Sequence, residues 1–162
     1  MKKIEYDYDN IGGVHSLYAI PMNSYLRVRH DYIYNHDILE LKNMDDIISI
    51  PVYADETFSF SEEQGNDEGG VYYSTTIEGV IPKHSPENEE IIHELERGQW
   101  LVLSTDHNGI NRLSGNEDVQ MMFSRTDSTG KTSSSANQVA FKFACKSAEP
   151  SVTLYNDDIE NI

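Results

Sequence analysis

The sequence predicts a mainly β protein: an antiparallel β-sandwich or partly closed barrel with one flanking α-helix at about residues 86–97. Three observations carry that expectation. Short runs rich in aromatic and β-branched residues alternate apolar with polar side chains, clusters of Gly, Asn and Asp separate them, and one segment has the caps and apolar spacing of a helix. At 162 residues the chain is the size of a single domain, 1–162, able to bury a core without staples.

The elements follow in order. After Gly12-Gly13, Val14 to Pro21 (VHSLYAIP) reads as a strand closed by its proline. Tyr25 to Tyr34 sets Leu26, Val28, His30, Tyr32 and Tyr34 against Arg27, Arg29 and Asp31, which predicts a second, half-buried strand. Ile38 to Leu41 and Ile47 to Tyr53 are further apolar runs, with Phe58 and Phe60 beyond them. Ser61 to Gly70 is polar and has the composition of a loop, so an acidic projecting loop, a contact arm, is expected at about 59–70.

Val71 to Val80 reads as a strand from its aromatic and β-branched content. The helix comes next. Ser85 is the N-cap and Pro86 the first helical residue. Glu87, Glu89 and Glu90 suit the positive end of the dipole, Ile91, Ile92 and Leu95 make an apolar stripe, and Gly98 stops the helix. Gln99 to Ser104 is then a strand, Asp106-His-Asn-Gly109 a turn, and Ile110 to Leu113 a return strand. Val119 to Arg125 and Gln138 to Cys145 complete the set. In the latter, Val139, Phe141, Phe143 and Cys145 face one way, and Lys142 and Lys146 the other.

Between those last two strands lies SRTDSTGKTSSS, Ser124 to Ser135, whose TGKT matches half of a phosphate-binding P-loop. The first glycine of that motif would fall at Arg125, where a side chain blocks the tight turn, and a strand follows instead of a helix. The segment is therefore expected to be a hairpin connection.

Charge narrows the function. The chain has 12 Lys and Arg against 28 Asp and Glu, a net −16, and from 43 to 82 it has nine acids and no Lys or Arg. Such a surface repels nucleic-acid backbones and anionic membranes. Met1-Lys2-Lys3 runs into acidic residues and not an apolar core, so no secretory leader is expected, and no apolar stretch is long enough to span a bilayer. Cys145 is the single cysteine, which excludes an intrachain disulfide and a cysteine-based metal site.

Chemistry-bearing patterns are incomplete. His93-Glu-Leu-Glu-Arg97 starts like the zinc motif H-E-x-x-H but puts Arg97 at the second ligand position. Asp106-His-Asn-Gly109 and Asp67-Glu-Gly-Gly70 lack the alternating oxygens and terminal Glu of an EF-hand. No nucleophile elbow is present, and Cys145 falls on an apolar strand face. The reading is a non-enzyme with no catalytic, cofactor or metal residues. An alternative is a monomeric ligand- or carbohydrate-binding β-sandwich using Tyr72, Tyr73 and Trp100 as a platform. A third is an acidic regulator that mimics DNA.

Several spaced pieces resemble the small tail-tube and neck structural proteins of tailed phages and prophages of gut anaerobes. They are GGVHSLYAIP from Gly12, YSTTIEGVIPK from Tyr73, Asp106-x-Asn-Gly109 with Arg112-Leu-x-Gly115, Thr129-Gly130 with Asn137 and Phe141-Lys-Phe143, and Pro150 leading to Tyr155. Gln138-Val139 stands where that family usually carries a Gly-Tyr pair. The resemblance implies a structural virion protein, assembled in the host cytoplasm into rings that form part of the DNA conduit. Its partners would be further copies of itself and other tail or neck proteins, with DNA passing transiently and unbound, and no membrane. An acidic wall suits that passage. Interface residues are then expected on loops and edges: Glu62, Glu63, Asp67, Glu68, Asp127, Thr129 and Lys131.

Overall fold

A computed structural model of the chain describes residues 13–50, 58–82, 85–128 and 138–154. Among them are eleven strands and one helix: β1 Val14–Pro21, β2 Tyr25–Asp31, β3 His36–Leu41, β4 Ile48–Ile50, β5 Ser59–Asp67, β6 Gly70–Pro82, α1 Pro86–Arg97, β7 Gln99–Asp106, β8 Asn111–Ser114, β9 Met121–Ser128, β10 Gln138–Ser147 and β11 Val152–Leu154. They form one open, mixed sheet ordered β2-β3-β11-β8-β7-β9-β10-β6-β5, with β1 pairing β7 and β4. All described pairings are antiparallel except the single β11–β3 bridge. The fold is a β-sandwich with one helix, and the sheet does not close into a barrel.

The pivot is β7. One edge runs along β1, while the other pairs with β9 at Gln99 and Trp100 and with β8 from Val102 to Thr105. Trp100 to Leu103 is a continuous apolar run because both faces of this strand are buried. Trp100 and Val102 enter one core with Leu17, Ile77, Phe123, Val139, Phe141 and Phe143, and Leu101 and Leu103 enter a second with Ile20, Tyr25, Leu113 and Leu154. Full burial of each large apolar side chain contributes about 1.5–3 kcal/mol, so the two cores hold both faces of β7 in place.

The helix forms where its caps predict. Ser85 Oγ accepts the Asn88 backbone N–H at 3.2 Å, Pro86 occupies the first turn, and the Gly98 N–H returns to Leu95 O. Ile92 and Leu95 are buried in the first core, but Ile91 faces outward, since adjacent helical residues point about 100° apart. Arg125 of β9 bonds Glu89 at 2.7 Å and Glu96 at 2.9 Å, and Trp100 Nε1–H donates to Leu95 O at 3.0 Å, fixing the helix to the sheet.

Two expectations change. Residues 59–70, read as an acidic loop, are instead strand β5 and a turn, paired with β6 from Ser59↔Glu78 to Asp67↔Gly70. Polar composition did not prevent pairing because β6 supplies a full edge and the Asp67 side chain accepts the Gly69 N–H at 2.9 Å to make the turn. The strand read over Tyr25–Tyr34 ends at Asp31, and Tyr32 and Tyr34 lie in the following turn. The Asp106–Gly109 turn is present, with Asp106 accepting the Asn108 and Ile110 N–H groups at 2.9 Å and Gly109 at φ +76°. The GKT segment, Gly130 to Thr132, lies outside the described residues; β9 and β10 on either side of it pair antiparallel up to Ser128↔Gln138.

Candidate functional site: two hairpins and a groove

The β2–β3 hairpin carries the most exposed apolar side chains of the described chain. Tyr32 is 89%, Ile33 86% and Tyr34 74% exposed at its tip. The tip is nonetheless ordered by its own chemistry. The Asp31 carboxylate accepts the N–H groups of Ile33 at 2.8 Å and Tyr34 at 3.2 Å, which holds its carboxyl below the usual range, and Asn35 takes the left-handed conformation at φ 53°. Below it His30 Nδ1 meets Asp37 at 2.8 Å, and the His30 ring contacts Tyr32 edge-on at 4.8 Å. On the shaft, Arg27 and Arg29 both donate to Glu40, at 2.7 and 2.8 Å, and hold its carboxyl low. Val28, Leu39 and Leu41 pack onto the second core and anchor the foot.

At that foot lies a groove of about 380 Å³. Leu101, Leu113, Val119 and Val152 supply apolar lining, and Glu117, Asp118 and Glu149 bring carboxylates to it. Burial pushes the Tyr25 phenol up, only partly offset by the Val28 N–H that it accepts at 3.0 Å, and the neighbouring Glu117 carboxylate adds to the rise.

The β5–β6 hairpin is fastened inward. Glu62 Oε2 accepts Ser151 N–H at 2.8 Å, Ser151 Oγ–H at 2.6 Å and Thr75 Oγ1–H at 2.9 Å, and Ser151 Oγ in turn meets Ser114 Oγ at 3.0 Å. Burial raises this carboxyl, but these hydrogen bonds and the Arg112 charge outweigh it, and the net direction is down. Near the tip Lys146 Nζ bonds Asp67 at 2.8 Å and sits 3.5 Å from the centre of the Tyr72 ring. The Tyr72 ring covers Gly65, its cross-strand partner, where any Cβ would collide with it.

Of the residues expected at an interface, Glu62 and Asp67 are thus engaged within the chain, while Glu63 and Glu68 are exposed. Asp127 lies in β9, and Thr129 and Lys131 fall outside the described residues. Trp100 is 3% exposed and belongs to the core, which removes the centre of a Tyr72–Tyr73–Trp100 platform. His93 is exposed on α1 between Glu89 and Glu96, an interaction of neighbouring helical turns. Among the described residues no three His, Cys, Asp or Glu side chains converge as a metal site, and no helix is long and apolar enough to cross a membrane. Burial raises the Cys145 thiol, the direction of an unreactive cysteine.

The exposed tip is the feature that strand periodicity concealed. Asp31 and Asn35 bracket Tyr-Ile-Tyr with the residues of a turn, the one local signal that could have revealed it. No family model, curated protein or solved structure matches the chain.

Proposed function

We propose that this protein is a structural, non-enzymatic subunit that self-assembles, as a tail-tube, ring or neck/connector component of a tailed-phage virion whose rings form part of a DNA conduit. The observation that carries the assembly reading is the ordered β2–β3 tip, which holds two tyrosines and an isoleucine in solvent. Such a cluster gains nothing for the isolated fold, and aromatic residues presented together are the chemistry of protein contacts. The open sheet, whose strand order ends at β2 and β5, supports the reading with edges that no described strand pairs. The virion setting rests on the spaced motifs, and the net −16 suits a wall along which DNA must slide.

Size exclusion with light scattering, followed by negative-stain microscopy of the full chain, tests it. Rings or short tubes are the expected result. A monomer from dilute to concentrated solution would overturn self-assembly.

A further inference from the structure

Resting on that reading, we propose how one copy holds the next: the Tyr32-Ile33-Tyr34 tip of one subunit seats in the groove at the foot of a second subunit's β2–β3 hairpin. The tip cannot fill its own groove. Tyr25 and Val28 of β2 line that groove, and at about 3.4 Å per residue the paired strand carries the turn that follows it roughly 20 Å beyond Tyr25 and roughly 10 Å beyond Val28. A tip seated there comes from another chain.

Complementarity selects a second copy. The groove joins the apolar side chains of Leu113, Val119 and Val152 to the carboxylates of Glu117, Asp118 and Glu149. The tip offers the matching pattern, with Ile33 for the apolar floor and two tyrosines whose rings are apolar and whose phenols donate hydrogen bonds to carboxylates. Its volume of about 380 Å³ admits a few side chains and not a folded element.

Charge explains why the contact is made through an arm. From Tyr25 to Lys42 the hairpin has three cations, Arg27, Arg29 and Lys42, and three acids, Asp31, Asp37 and Glu40, so the whole net charge of −16 lies elsewhere. Two such bodies repel one another face to face, whereas a neutral arm bridges them without adding a like charge. A strongly basic partner would be drawn to the acidic body and a nucleic acid repelled from it, so neither accounts for a neutral, phenol-bearing tip. A tip-to-groove contact is heterologous and repeats around an axis, closing as a ring where the rotation closes.

The test compares the full-length protein with two variants, Ile33→Asp at the tip and, at Ala148 in the groove lining beside Glu149, Ala148→Trp. Both positions are exposed, so folding should survive, which circular dichroism checks. Each variant alone should associate at least about tenfold more weakly than the parent, the loss expected of a central contact residue. Mixed together they should recover a one-to-one complex, because the Ile33→Asp chain keeps its groove and the Ala148→Trp chain its tip. If the parent assembles and the variants assemble equally well, tip-to-groove docking is overturned while self-assembly stands. If both variants are weak but mixing restores nothing, the two surfaces do not meet and the docking is again overturned. A parent chain that stays monomeric overturns both.

Discussion

The β2–β3 and β5–β6 hairpins terminate opposite ends of the strand order, and their chemistry is opposite too. Polar and acidic by composition, β5–β6 leaves Glu63 and Glu68 exposed but fastens other side chains to the protein: Glu62 onto Ser151 and Thr75, Asp67 onto Lys146, Tyr72 onto Gly65. The β2–β3 hairpin, neutral and apolar at its end, fastens charges to one another and turns the tyrosines of its tip to solvent. Composition alone would have assigned the roles the other way round. What separates them is where each side chain's partner lies. The acidic hairpin finds partners elsewhere in its own chain, while the apolar tip stays exposed and its tyrosines meet only the histidine rings of their own hairpin among the described residues.

Unfastening the acidic hairpin should disturb the molecule most. Glu62→Ala leaves two Ser151 donors and the Thr75 hydroxyl without their acceptor in a partly buried junction, and should cost about 2–4 kcal/mol. Urea unfolding would show a lower midpoint at unchanged slope. The same carboxylate gives a pH signature. Its folded pKa lies below the unfolded value, so its contribution is complete above the ordinary glutamate range and is lost as pH falls through the folded pKa. Glu62→Gln should flatten the acid side of the stability profile. An acid limb unchanged by that substitution would mean that other carboxylates govern it.

A smaller effect is expected at the hairpin's far end. In Gly65→Ala the new Cβ occupies the space of the Tyr72 ring, which must swing away and give up its stacking under Lys146. Lys146 keeps Asp67, so the hairpin stays paired, and the melting temperature should fall by only about 2–4 °C. The near-ultraviolet tyrosine signal should change with it. A full unfolding of the hairpin would show instead that Tyr72, and not Glu62, is its main attachment.

Much of this framework was legible because its signals are local. Ser85, Pro86 and Gly98 bound α1 at 86–97, Pro21 closes β1, and the alternation of Val139, Phe141 and Phe143 sets the inner face of β10. What escaped depends on residues far apart in the chain. Strand β5 lacks β-branched residues and exists because β6 offers an edge, and Glu62 reaches a serine 89 residues away. The three-residue β11 is too short to carry a period. At the tip the failure was different: Tyr32 and Tyr34 continue the alternation of β2 after the strand has ended, so periodicity ran on past the turn that Asp31 makes.

At the β2–β3 tip a substitution should barely change stability. Ile33→Asn removes an apolar side chain that is 86% exposed, nearly as wet in the folded chain as in the unfolded one, so no burial is lost. The turn keeps its hydrogen bonds, because Asp31 accepts the backbone N–H at position 33 whatever the side chain is. Asparagine also suits turns better than a β-branched residue does. At a dilution where copies do not associate, stability should therefore stay within about 0.5 kcal/mol of the parent or rise slightly. A loss well beyond that would mean that Ile33 packs against its own body, and the two hairpins would then differ in composition but not in purpose. An unchanged fold means that the side chain serves something outside the single chain, since an isoleucine held in water by an ordered turn contributes nothing to the molecule that carries it.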